Sequence, residues 1–314
     1  MRPAFSVIFL TTLIGAGQGL FIALYMAELG ALLGLWTMPP GLYFALGCVL
    51  SLAFLAAGLL ASFFHLGRPE RAWRSAAMWR TSWLSREVIA LPAFMAAVAA
   101  FGLAHYLRGA ASLTLALGAA GLTLALLLFI CTGMIYACIQ FLQEWHTPLT
   151  VINYTLFGCA SGFLLGTAWA AAQAPALIGV SALWTAGFTL CALLTRLASL
   201  ARNARIRPKS TIQTAIGVKH PRIAQKSEGF MGGSFNTREF FHARSFAWLR
   251  GVKWTFLLLV FPLPLALLAA GAAYASWPLL AAAFALQYLG LLAERWYFFA
   301  QARHPQNLYY QAIS

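Results

Sequence analysis

The chain contains no aspartate, and its acidic side chains are seven glutamates. Charged residues fill only 9% of its 314 positions, where a soluble domain carries roughly 25%. So few charges cannot coat a water-facing globule, which argues against a soluble enzyme and for the bilayer as solvent. The five cysteines (Cys48, Cys131, Cys138, Cys159 and Cys191) form no CxxC pair, so neither an iron–sulfur cluster nor a structural zinc is encoded. All lie in apolar runs and read as small buried hydrophobes. The six histidines (His65, His105, His146, His220, His242 and His304) fall at helix ends or in loops. No pair is left inside a helical bundle to hold a haem b, so no haem is expected. The Met231-Gly232-Gly233 stretch lacks the spacing and the lysine of a phosphate loop. Internal repeats, inverted or direct, are not evident, and ionisable residues near mid-helix are scarce. Both absences weaken the reading of a secondary transporter, the main rival from another functional class.

What is present is hydrophobic: 61% of residues, with mean hydropathy +0.77. A spanning helix needs about 20 apolar residues. Eight runs qualify: 5–27, 41–64, 87–107, 113–139, 151–173, 177–199, 253–273 and 277–299. The first is too long for a cleavable signal, and no small-residue cleavage site follows it. The expected fold is an all-α integral membrane bundle forming one domain over 1–314, with one long basic loop at about 200–252. Short links such as Thr37-Met38-Pro39-Pro40 and Arg108-Gly109-Ala110 favour antiparallel neighbours.

Charge sets the orientation. Of the 21 lysines and arginines, this segmentation puts all but Arg108 on one face or at helix ends near it. The positive-inside rule then predicts both termini in the cytoplasm of a bacterial inner membrane. A pI near 10.1 therefore reflects topology rather than nucleic-acid binding. Gly158, Gly162 and Gly166, with Gly15 and Gly19, recur every fourth residue, the spacing of closely packed membrane helices. Pro92, Pro262 and Pro264 are expected to kink their helices. Gln18, Gln140, Asn153 and Gln287 read as interhelical hydrogen-bond formers.

Two segments carry candidate chemistry. In the loop after the second span, Arg68, Arg71 and Arg74 recur every third residue, interleaved with Trp73, Trp79 and Trp83. This suits a short helix at headgroup depth, either as an interfacial anchor or as the mouth of a ligand pocket. His65 and Glu87 flank the loop, and an imidazole and a carboxylate so placed suit a quinone and its protons. Glu87 also has a structural reading, with Ser85 as N-cap and the carboxylate in the first turn complementing the helix dipole. The second segment is the long loop. Its basic residues Arg205, Arg207, Lys209, Lys219, Arg222, Arg238 and Arg244, with nearby aromatics, suit either anionic lipid or a docked protein.

The run His65-Leu66-Gly67, Pro69, Arg71-Ala72-Trp73, followed by Ser75, Leu84-Ser85 and Glu87, resembles the DmsC family. Its members are membrane anchors of dimethyl sulfoxide reductase-like molybdoenzymes. The resemblance implies two partners on the cytoplasmic face: a catalytic subunit with a molybdenum cofactor, and a ferredoxin-like subunit with [4Fe–4S] clusters. It also implies a haem-free quinone site (ubiquinone or menaquinone) at His65, Gly67, Arg71, Trp73, Ser75 and Glu87. The strings Arg207-Pro208-Lys209-Ser210-Thr211 and Gly229-Phe230-Met231-Gly232-Gly233-Ser234-Phe235-Asn236 look like anchors of cytoplasmic sulfite-oxidising complexes, the SoeC type. That favours sulfite oxidation coupled to quinone reduction over sulfoxide reduction by menaquinol.

Overall fold

A computed structural model describes residues 1–64, 66–224, 226, 242–305 and 307. These residues form helices and connections, with no strand among them. The long helices are α1 (Phe5–Leu32), α2 (Gly41–Phe63), α3 (Trp83–Tyr106), α4 (Ala111–Ala137), α5 (Pro148–Gln173) and α6 (Ile178–Ala204). After a short α7 (Ile212–Ile216) come α8 (Phe246–Val260), α9 (Pro262–Ala273) and α10 (Trp277–Ala300). Counting α8 and α9 as one span, eight helical stretches among the described residues are long and apolar enough to cross a membrane.

The helices outrun the apolar runs at several ends, because a capped helix continues through polar residues once it is nucleated. Thus α3 starts at Trp83, where the Ser82 side chain accepts from the Ser85 N–H at 3.3 Å. Ser82, not Ser85, is the N-cap. The α8–α9 span breaks at Phe261, where Pro262 begins a new helix. Pro264 has no N–H to offer the Val260 carbonyl. Gln287 of α10 fills that gap, donating to it at 3.1 Å. Three of the four expected interhelical amides bond between elements: Gln18 to the Ala125 carbonyl at 3.0 Å, Asn153 to Ser199 at 2.8 Å, and Gln287. Gln140 is exposed instead.

Helices α1–α4 pack in a ring, and α5, α6, α8–α9 and α10 pack in another. The rings join chiefly where α1 crosses α5, with α4 also against α5. Glycine makes that crossing: a methyl on Gly19 would strike the Gly158 carbonyl, and one on Gly162 would strike the α1 backbone at Gly19. Two thirds of the α1 and α5 spans are buried, against about a third of most others, so these two helices form the centre. Of the cysteines, Cys48, Cys131 and Cys159 are buried as expected, whereas Cys138 and Cys191 are exposed. Cys138 ends α4, and Cys191 lies on the outward side of α6.

Candidate functional site

Because the cap is Ser82, Glu87 falls in the second turn of α3 rather than the first. It is 8% exposed and points into the bundle, where Thr132 of α4 donates to its Oε1. A carboxylate complementing a helix dipole would sit at the surface of the first turn. This one lies between the two rings, against a cleft.

The cleft is lined by the polar side chains of Thr11, Thr12, Gln18, Glu87, Thr132, Tyr154, Ser161 and Arg295 and by the apolar ones of Ile14, Phe129, Phe157 and Leu291. Its volume is about 450 Å³ with the open side included, but only about 20 Å³ admits the centre of a water molecule. Glu87, Thr11, Thr132, Tyr154 and Arg295 lie four to six residues from the same end of their helices. At 1.5 Å per residue, that is about 6–9 Å below the helix ends on the basic-loop face.

Beside the cleft lies a cluster that contradicts the expected scarcity of interior charge. Glu294 is fully buried, Arg196 is 2% exposed and Arg295 is 4% exposed. Arg196 Nη2 reaches Glu294 Oε1 at 2.8 Å, and Arg295 holds Glu294 Oε2 through Nε and Nη2, each at 2.6 Å. The Arg295 guanidinium also lies 4.1 Å over the Tyr154 ring, which stacks on Tyr136. Arg196 and Arg295 are therefore interior residues rather than loop charges that orient the chain. The sequence signal was an ionisable residue interrupting an apolar helix: Arg196 in α6, and Glu294-Arg295 in α10. A second interior pair lies toward the opposite face, with His105 Nε2 3.2 Å from Glu28 Oε1.

The remaining residues of the expected site lie apart from Glu87. Gly67, Arg71 and Trp73 are exposed, on or beside a 3₁₀ segment, Pro69–Ala76, that packs over the start of α3. Ser75 is half-buried and turns its hydroxyl back to the Ala72 carbonyl. A 3₁₀ helix has three residues per turn, which explains the three-residue recurrence of arginine. Arg74, Arg80 and Arg86 lie over the rings of Trp73, Trp79 and Trp83. His65 lies outside the described residues. In the long loop, Arg205, Arg207, Lys209, Lys219, Arg222 and Arg244 are exposed, and Arg238 lies outside the described residues. The loop is tied down at its start, where Arg202 donates to the carbonyls of Gln143 and His146 at 3.0 and 3.3 Å.

The sequence profile of the DMSO reductase anchor subunit (DmsC) family matches residues 1–301. The chain belongs to the DmsC family. It is also 54% identical, over the full length of both chains, to a sulfite dehydrogenase subunit from Allochromatium vinosum. The motif around His65–Glu87 and the eight spans thus sit in the family to which they pointed. Within this DmsC-family fold, Glu87 is the expected site residue seen to line an interior cleft, and Thr132, Tyr154 and Arg295 are the partners that sequence reasoning missed.

Proposed function

We propose that this chain is the membrane anchor and quinone-binding subunit of a three-subunit molybdoenzyme. It exchanges electrons between an iron–sulfur partner and the quinone pool, in the direction of sulfite oxidation. The observation that carries this reading is the buried carboxylate of Glu87, hydrogen-bonded by Thr132 at a cleft lined by both polar and apolar side chains. A quinone headgroup needs both: polar groups at its oxygens and apolar contact along its ring. The donor set suits it, while the narrow interior suits only its oxygen-bearing edge. Bound there, the quinone supplies two-electron, two-proton redox chemistry. Thr132 orients the Glu87 carboxylate, which takes up or releases a proton at an oxygen. Gln18 and Ser161 offer further hydrogen bonds, and Phe129 and Phe157 exclude bulk water.

The 3₁₀ segment with Gly67, Arg71, Trp73 and Ser75, together with His65, forms the mouth over this cleft in the same proposal. The exposed arginines and lysines of the long loop form the dock for the iron–sulfur subunit, on a cytoplasmic face that also holds both termini. The name of the Allochromatium relative supports sulfite as the partner's substrate. The family description supports a second reading, in which the same site oxidises menaquinol for sulfoxide reduction. Assaying the purified complex with sulfite and with dimethyl sulfoxide separates the two.

The site is tested by Glu87→Gln and His65→Ala in the intact complex. Both variants are expected to abolish quinone-linked turnover while leaving assembly and dye-linked activity intact. Unchanged quinone kinetics in both would refute the site.

A further inference from the structure

A second cavity opens beside the first. Its lining includes Glu144, Tyr154, Arg196, Arg295 and Gln301. Tyr154 and Arg295 line both cavities and so form their common wall. Glu144 belongs to the α4–α5 connection on the basic-loop face and is half-buried, so this cavity reaches toward that surface. Several buried donors on its lining, among them the Tyr154 hydroxyl, Arg196 Nε, Arg295 Nη1 and Gln301 Nε2, have no hydrogen-bond partner among the described residues. The space admits a water centre over about 10 Å³, close to the minimum for one molecule. Unfilled buried donors around a water-sized space are where ordered water sits.

We infer that the two cavities form a proton path running from Glu144 on the basic-loop face, through water at Arg196 and Gln301 and the Tyr154 hydroxyl, to Glu87. This rests on the quinone reading of the first cavity. Tyr154 is the one group on the common wall that can both accept and donate a proton at neutral pH. Arg295 stays charged and is held by Glu294, so it fixes the Tyr154 ring and does not carry the proton. Thr132 completes the chain by its bond to Glu87. The path does not continue to the other face. Between Gln18 and the Glu28–His105 pair, the bundle is filled by Leu20, Phe21, Leu24, Phe94 and Phe101, all fully buried. In the reducing direction, two O–H bonds form on the quinone oxygens. The iron–sulfur partner supplies two electrons, and the Glu144 face supplies two protons. Quinol oxidation reverses each step.

The test uses the intact complex with a short-chain quinone analogue. Tyr154→Phe keeps the ring and removes only the hydroxyl, and Glu144→Gln changes a half-exposed side chain. Each is expected to lower quinone-linked kcat about a hundredfold at pH 8, the low end for the loss of a proton-transfer group. KM should be unchanged, the deficit should shrink toward pH 6, and the solvent deuterium effect should rise. Dye-linked turnover should match wild type. A structural role would not produce this pH and isotope signature. If both variants keep wild-type kcat and pH profile while Glu87→Gln is inactive with quinone, the site stands and the path is overturned. A raised KM at constant kcat would instead make these residues headgroup ligands and also overturn the path. If Tyr154→Phe does not assemble, Glu144→Gln decides alone. Quinone turnover surviving in Glu87→Gln marks failure of the underlying site.

Discussion

Glu294 is the interior group whose loss should be felt most. Its carboxylate is fully buried and is the shared counter-ion of two buried guanidinium groups at 2.6–2.8 Å. Glu294→Gln leaves both arginines charged without a counter-ion, and breaking a buried pair in this way costs about 3–5 kcal/mol. In a chain of this size that lowers the apparent Tm by roughly 5–8 °C. Arg196→Met behaves differently, because the Glu294–Arg295 pair left behind is neutral as a unit. Its cost should be well below that of Glu294→Gln. The double variant retains a single unpaired cation and should be no less stable than Glu294→Gln alone. A convenient assay is built into the fold: Cys48, Cys131 and Cys159 are buried free thiols. Their maleimide labelling during a temperature ramp, read on this chain by mass spectrometry, reports opening of the bundle. Additive losses in the double variant, or a larger loss in Arg196→Met than in Glu294→Gln, would refute the electrostatic account.

Two further outcomes follow from other parts of the fold. Gly162→Ala should destabilise the bundle by about 1–3 kcal/mol, the range for overpacking, because the added methyl meets the α1 backbone. Gly179→Ala, where a methyl meets open space, should be neutral or slightly stabilising in the same ramp. His242 is buried and accepts from the Arg244 N–H at 3.1 Å, and burial lowers its pKa to about 4. The unfolded chain, with an ordinary histidine pKa near 6.5, then binds more protons between pH 6.5 and 4. The associated stability is present above pH 6.5 and is lost as pH falls to about 4. His242→Phe should flatten the Tm profile across that window, and an unchanged profile would contradict a neutral buried imidazole.

Much of this protein is legible in one dimension because the bilayer imposes simple requirements. A spanning helix must be long and apolar, so the eight spans follow from run length. The glycine contact of α1 with α5 follows from four-residue spacing, since only glycine lets two backbones approach so closely. The family follows from local spacing in the loop that leads to Glu87. The position of Glu87 itself was half legible. Its motif was visible, but its place in the second turn depended on which serine capped α3, and Ser82 and Ser85 are both chemically able to do so.

The sequence by itself therefore determined that this is a helical membrane protein of the DmsC type with its basic charge concentrated in particular loops. Only the tertiary structure decided which charges are loop charges. Arg196 and Glu294-Arg295 are about 100 residues apart, and both sit near helix ends where one dimension cannot separate inward from outward. Packing of α6 and α10 against α5, with Arg196 of α6 meeting Glu294 of α10, turns them into one buried cluster. It sets that cluster beside the Tyr154 wall between two small cavities, one of them reaching Glu87. Hydropathy sees how apolar a segment is. It does not see which side of a helix faces a neighbour, and that facing makes the interior polar layer.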